Sequence, residues 1–343
     1  MARRSRQHLD DVDRQLCQVL MAEPRSSVRD LAAHAGVTNE TVSARLRRLR
    51  ESNVLALTVV VDSDTAGYKA GAVVRIKAPQ PAAALLQQRF AACGVAQFVA
   101  AAMGVCDLVV SILGVDLADV RTTLRSAIRG VDNARVVGVD VVTGVLAYDT
   151  NALTLPIRPW SPGALPAPDP PLDELDCALI EQLSVAGHES NREIARRLEV
   201  SDATVRSRIR RLEDGGLMRL VAGVDPVAAG ERRLFAMVFV SLDDESAIAA
   251  LMPRATVVTG VTTIGAADLV LQIGGRSVHE VSGFVAELAS VAGVRDVAVA
   301  YLTDVVLHHN HLARFAPSHR KAQQPDQLCS TPAAATNKRR AAP

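Results

Sequence analysis

The strongest constraint on this chain is that it is written twice. Residues 9–55 lie over residues 172–218 at a constant offset of 163, without a gap, with 15 identities in 47 positions. LDDVDRQLCQVL faces LDELDCALIEQL, and SVRDLAAHAGVTNETVSARLRRLRESNVL faces SNREIARRLEVSDATVRSRIRRLEDGGLM. Further on, MGVCDLVVSI (103–112) matches IGAADLVLQI (264–273). Self-similarity of this length, with a shared downstream order, means one two-domain unit repeated. The join is PIRPWSPGALPAPDPP, where proline stiffens the chain and forbids regular pairing. The expected division is therefore 1–61 and 172–224 for the first domain of each unit, and 62–155 and 225–315 for the second. A Pro-rich linker at 156–171 lies between the units, and a disordered basic tail occupies 316–343.

Composition narrows the classes. A length of 343 residues predicts two or more domains. The balance of 38 Lys+Arg against 37 Asp+Glu excludes a uniformly basic nucleic-acid coat. Six Phe, three Tyr and one Trp are too few for a platform that stacks successive bases. The five cysteines are scattered with no C-x-x-C pair, so a zinc knuckle or disulfide framework has no support; no metal or cofactor is expected. The start, MARRSRQHLDD, has no apolar signal-peptide core. The run Val95–Val115 is long enough to span a membrane, but Asp107 near its middle would be costly there. We read it as two buried strands joined at Gly104, in a soluble, cytoplasmic protein with no membrane partner.

In the first domain of each unit, apolar residues at Val12, Leu16, Val19 and Leu20, or Leu175, Leu179, Ile180 and Leu183, make one helical stripe. Ser27 and Ser190 suit the start of a short second helix that buries Leu31 and Ala32, or Ile194 and Ala195. After a tight connection, Thr38 or Ser201 caps a third helix with core stripe Val42, Leu46, Leu49, or Val205, Ile209, Leu212. Three helices with a tight turn before the third make a helix-turn-helix. The third helices carry Arg45, Arg47, Arg48 and Arg50 against Glu40, and Arg206, Arg208, Arg210 and Arg211 against Asp202. Such helices suit the major groove of double-stranded DNA. Helical geometry puts Asn39, Glu40, Ser43 and Arg47 on base edges, with Arg45, Arg48 and Arg50 on phosphates. In the second unit the readers are Asp202, Ala203, Arg206 and Arg210, with Arg208 and Arg211 on phosphates. The two sets of readers differ, which predicts an asymmetric operator. Residues 172–224 carry eight basic and ten acidic residues, which predicts a weaker second head.

In the second domain, Ala72–Ile76 reads as a strand, Ala82–Ala92 as a helix, Val95–Met103 and Leu108–Leu113 as a hairpin, Leu117–Ile128 as a helix and Ala134–Val142 as a strand. Phe235–Leu242, Ser246–Met252, Val257–Ile264, Leu269–Ile273, Val278–Ala289 and Asp296–Leu302 repeat the order. This β-α-β-β-α-β order is the ferredoxin-like unit, giving an α+β fold. A sheet with helices on one face leaves its other face apolar, and pairing with a second such sheet would cover it.

The chain resembles the Lrp/AsnC (feast/famine) family of transcriptional regulators, twice over. The resemblance rests on the LDxxDxxLL-like opening, the S-x-x-(D/E)-(L/I)-A segment, the T-V-x-x-R-(L/I)-R-R-L helix and the G-x-x-D hairpin. It covers roughly residues 9–150 and 172–310. It implies two winged-type helix-turn-helix domains alternating with two ferredoxin-like domains of the RAM type, and assembly into homo-oligomers through the latter. It also implies a small effector, usually an amino acid, bound near the hairpin. By position Gly104, Asp107 and Thr143 would line that site in unit one, and Gly265, Asp268 and Thr303 in unit two. The residue before the Asp, often aromatic in the family, is Cys106 or Ala267 here. On residues alone, Gly makes the turn and Asp caps it.

A rival of another class is a sirohaem-decarboxylase-like enzyme, since Lrp-like folds, some of them two-unit fusions, are also used in that role. Such a site needs His and basic or aromatic residues in the sensor domain to hold the tetrapyrrole carboxylates; the histidines are sparse. Residues 68–155 contain none, and the second sensor domain has His279 with His308, His309 and His311 near its end. Two basic third helices favour a regulator over an enzyme. A third reading is an effector-binding or assembly protein with decayed DNA heads. Whether the two units pair within one chain or between chains is open at this level.

Overall fold

The computed structural model describes residues 9–52, 54–61, 66–148, 172–224, 234–251 and 257–307. The linker at 156–171, the tail at 316–343, Met252 and the cluster His308, His309, His311 lie outside the described residues.

Head one consists of α1 (Asp11–Ala22), α2 (Val28–Ala35), α3 (Asn39–Glu51) and a wing strand β1 (Leu55–Val61). The helices start where side chains can accept free amides: Asp10 from the Asp13 N–H, Ser27 from Asp30 and Thr38 from Thr41. Gly36, in the left-handed region at φ 65°, turns the chain from α2 towards α3. There follow β2 (Ala70–Lys77), α4 (Ala82–Ala92), β3 (Ala96–Gly104), β4 (Leu108–Gly114), α5 (Leu117–Ile128) and β5 (Arg135–Tyr148). Unit two repeats the series. Its head has α6 (Glu174–Ala186), α7 (Asn191–Arg197), α8 (Asp202–Asp214) and β6 (Met218–Val224). Its sheet has β7 (Leu234–Leu242), α9 (Ala247–Leu251), β8 (Val257–Ile264), β9 (Leu269–Gly275), α10 (Val278–Ala289) and β10 (Val294–Leu307). Glu199 takes the place of Gly36 at φ 56°, a position that costs a non-glycine residue about 1 kcal/mol.

The two heads are interlocked. Wing strands β1 and β6 pair antiparallel, Leu55 with Val224 through Val61 with Met218. Since Met218 is the copy of Leu55 and Val224 that of Val61, the pairing is self-complementary about Thr58 and Val221, as a two-fold interface requires. The strands also exchange cores. Val59 and Val61 of β1 pack with Leu179, Ile180 and Leu183 of head two. Ala222 and Val224 of β6 pack with Leu16, Leu20 and Leu49 of head one. The buried Thr58 hydroxyl donates to the Ser184 carbonyl at 2.9 Å. A Cβ on Gly187 would stand 2.5 Å from the Leu57 oxygen, so the backbones touch there.

The other eight strands close into one antiparallel barrel in the order β10-β3-β4-β2-β5-β8-β9-β7. Each unit supplies a four-stranded ferredoxin-like sheet, and the sheets join edge to edge at β5–β8 and β3–β10. The pairing that the sequence left open is therefore made within the chain. The apolar inner faces expected to drive assembly fill the barrel with Phe98, Val109, Phe235, Met237, Phe239 and Leu302 among others. Outer faces pack beneath α4 and α5, and beneath α9 and α10. The run Val95–Val115 becomes β3 and β4. Every residue of β4 is buried because both of its faces are covered, which is why it imitates a membrane span. Among the described residues no helix is long and apolar enough to cross a membrane.

The last strand of each unit is longer than its alternation predicts, reaching Tyr148 rather than Val142 and Leu307 rather than Leu302. The added residues carry the joins: Gly144 pairs with Thr262 and Tyr148 with Thr259, while Asp304 pairs with Ala101 and Leu307 with Val99. Their partners belong to the other unit and both joins contain bulges, so no local pattern announces them.

Candidate nucleic-acid interface

The third helices are held by a pair of carboxylates that the DxxD of each opening motif supplies. In head one, Asp10 caps α1 and the Asp13 side chain returns to the Asp10 amide, a reciprocal capping box. Arg45 reaches both carboxylates, Asp10 at 2.6 Å and Asp13 at 2.9 Å, and Arg48 also pairs with Asp13. Head two repeats the clamp: Asp173 and Asp176 form the box, Arg208 pairs with both, and Arg211 pairs with Asp176. Hydrogen bonding to Arg45 and to the Asp13 amide holds Asp10 below the usual carboxylate range. Asp173 is also lowered: burial pushes it up, but the Asp176 amide and Arg208 outweigh that.

Arg45, Arg48, Arg208 and Arg211, expected on phosphates, thus have carboxylate partners within their own heads. Their guanidinium groups dock the third helix onto the first, a task the spacing D-x-x-D with R-x-x-R, repeated in both units, could have signalled. Outward on α3 stand Asn39, Glu40, Arg47 and Arg48, all exposed, beside the half-buried Ser43. On α8 the matching face shows exposed Ala203, Arg206 and Arg210, with Asp202 half-buried and ion-paired to Arg206. Ala44 and Ser207, on the same faces and exposed, escaped the sequence reading. Arg50 is half-buried at the contact between heads, where partial desolvation and Arg50 together hold His188 below its ordinary value.

The residues expected around an effector lie at the joins of the barrel. Asp107 accepts from the Ala78 amide at 3.0 Å and lies 3.6 Å from Lys77 Nζ. Asp268 accepts from the Leu242 amide at 2.7 Å, with Arg295 at 3.8 Å. Thr143 and Thr303 stand at the matching bulges of β5 and β10, and the Thr143 hydroxyl donates to Thr262 Oγ1 at 2.9 Å. The two glycines allow the hairpins to press on the other unit. A Cβ on Gly104, at φ 122°, would fall 2.5 Å from the Val299 oxygen, and one on Gly265 would fall 2.4 Å from that of Val139. Gly104→Ala or Gly265→Ala should therefore destabilise the barrel by about 1–3 kcal/mol, through a backbone clash at both and added strain at Gly104. Thermal melting checks this, and an unchanged melting temperature would show that the joins do not need the close approach.

Two interlocked helix-turn-helix heads with arginines on the outer face of each third helix, carried on paired ferredoxin-like sheets, define a DNA-binding transcriptional regulator. An AsnC-type helix-turn-helix domain matches residues 9–50 and again residues 172–213. The chain is 33% identical over 143 residues to an uncharacterised HTH-type transcriptional regulator of Pyrococcus abyssi, covering 87% of that protein and 39% of this chain. It is 31% identical over 127 residues to the HTH-type transcriptional regulator FL11 of Pyrococcus horikoshii, covering 84% of that protein and 36% of this chain. The chain belongs to the Lrp/AsnC family, as a tandem of two units. The crystal structure of the siroheme decarboxylase NirDL, in complex with an iron-uroporphyrin III analogue, superposes with a TM-score of 0.59 at 13% identity. That match covers 90% of this chain and 96% of the other, and the likeness is one of fold.

Proposed function

We propose that this regulator is a double-headed reader of an asymmetric operator, with each head contributing one recognition helix to the major groove. The observation that carries the reading is the β1–β6 pair with its exchanged cores, which presents α3 and α8 as one block. Head one reads with Asn39, Glu40, Ser43 and Arg47, and head two with Asp202, Ala203, Arg206 and Arg210. Ala44 and Ser207 lie within the same footprint. With Arg45, Arg48, Arg208 and Arg211 engaged by carboxylates, each third helix offers less unpaired charge to phosphates, so affinity gains from both heads binding together. Head two is the weaker partner, because Arg206 is engaged by Asp202 and its surroundings are net acidic.

Selection of binding sites from random duplexes should return two unlike half-sites at one fixed spacing; a perfect palindrome would sink the asymmetry. In gel shifts on the selected duplex, Arg47→Ala should weaken binding by about 1–3 kcal/mol. Arg210→Ala should cost distinctly less, and equal losses would refute the weak second head. Inserting about half a helical turn between half-sites should abolish two-headed binding, because the heads cannot rotate independently.

An amino-acid response would run through the barrel joins. An effector reaching Gly104–Asp107 with Thr143, or Gly265–Asp268 with Thr303, would compete with the contacts that hold the hairpins against the other unit. It would thereby act on the platform beneath the heads.

A further inference from the structure

The two units are matched in fold but not in chemistry where they meet. Strand registers place Arg75 opposite Val109 and Gly138, and Phe239 opposite Val270 and Ala298. Arg75 and Phe239 are therefore the same position of the two units, as are Gly138 and Ala298, and Asp140 and Ala300. These counterparts touch across the pseudo-two-fold axis: the Arg75 guanidinium lies 4.3 Å over the Phe239 ring. Arg75 is buried and pairs with the fully buried Asp140 at 3.1 Å, and Gly138 leaves the room it needs. Asp140 Oδ1 also accepts the amides of Ala266 and Ala267 in the hairpin of unit two, at 2.8 and 2.9 Å. On the other join, Ala300 offers no such acceptor, and the Val105 amide goes to the Val299 carbonyl at 3.2 Å.

The heads show the same mismatch. Arg25 donates to Asn191 Oδ1 at 2.7 Å and faces Glu213. At the pseudo-equivalent contact, His188 faces Arg50. Were unit one to pair with another unit one, each Arg25 would face an Arg50 and the two buried Arg75 groups would meet in place of the Arg75–Phe239 stack. Were unit two to pair with unit two, the amides of Ala266 and Ala267 would lose their carboxylate.

We propose that the inner faces carry a heterotypic pairing code: each unit is built to accept the other unit and to refuse its own kind. An isologous interface repeats every contact twice, so each mismatch counts double in a like pair. With both units tethered in one chain, this favours a chain that closes on itself, with two unlike heads side by side.

Cysteine reporters in the full-length protein test this. Thr143→Cys with Thr262→Cys reports the unit one–unit two join, where the hydroxyls are 2.9 Å apart. Ala101 is the counterpart of Thr262, and Thr303 that of Thr143. Thr143→Cys with Ala101→Cys therefore reports one–one pairing between chains, and Thr303→Cys with Thr262→Cys reports two–two pairing. After refolding and oxidation, the first protein should link within single chains. The other two should give no two-chain species above their single-cysteine parents. Adding Arg75→Phe and Asp140→Ala to the one–one reporter, which gives unit one the residues of unit two, should raise two-chain linkage by about tenfold. Arg25→Glu, at the surface of the heads, should raise it in the same direction. Two-chain linkage in an unaltered like-pair reporter overturns the code, and so does an unchanged fraction in both altered proteins.

Discussion

Asp140→Ala is expected to lower the stability of the barrel by about 3–5 kcal/mol, the cost of leaving a buried charge without its partner. Arg75 retains 9% of its exposure and cannot reach water without opening the sheet. The stack on Phe239 is worth on the order of 1–2 kcal/mol when desolvated and does not replace a carboxylate. The amides of Ala266 and Ala267 lose their acceptor in the same step. The double variant Arg75→Phe, Asp140→Ala should recover most of the loss, since an apolar pair removes the charge rather than stranding it. Calorimetry of the three proteins decides: a single variant within about 1 kcal/mol of the parent would mean that water reaches Arg75.

Asp13→Ala should cost head one about 2–3 kcal/mol, less than the barrel variant although Asp13 is only 1% exposed. The difference lies in what is left behind. Arg45 and Arg48 are partly exposed and can turn to solvent, whereas Arg75 cannot. Loss of the clamp also frees α3 from α1, so DNA binding should fall even under conditions where the head remains folded. The same clamp gives an acid dependence. Asp10 and Asp173 are lowered in the folded state, so their stabilisation is complete above the unfolded carboxylate value of about 4. It drains as the pH falls below that value through the folded one. Helical signal followed against pH should show head unfolding in that window, and Asp13→Ala should move the midpoint to higher pH. A midpoint identical in both proteins would remove the clamp from the account.

Much of the architecture was legible locally. The stripes Leu16/Leu20 and Val42/Leu46/Leu49 placed the head helices, and the caps Ser27 and Thr38 placed two of their starts, as Ser190 and Ser201 did for the copies. In the sheets, helices 82–92, 117–128 and 278–289 appear at the residues expected, because their apolar faces meet a sheet of the same unit. The outward face of α3, with Arg47, followed from periodicity alone. The carboxylate partners of Arg45 and Arg48 did not, because a count of positive charges carries no sign of a guanidinium docked 35 and 32 residues upstream. The wing strands were equally silent: LALTVVV is apolar on both faces since it belongs to two cores.

The amino-acid sequence by itself determined the repeat, the order of elements and the two arginine-bearing helices, all of which depend on residues a few positions apart. Only the tertiary structure decided that the units close on each other within one chain, that β5 and β10 run on to make the joins, and that Arg75 meets its own counterpart Phe239. Those facts depend on pairs more than a hundred residues apart, where no local period carries a signal. The choice there falls to which buried groups find a partner when the two sheets come together.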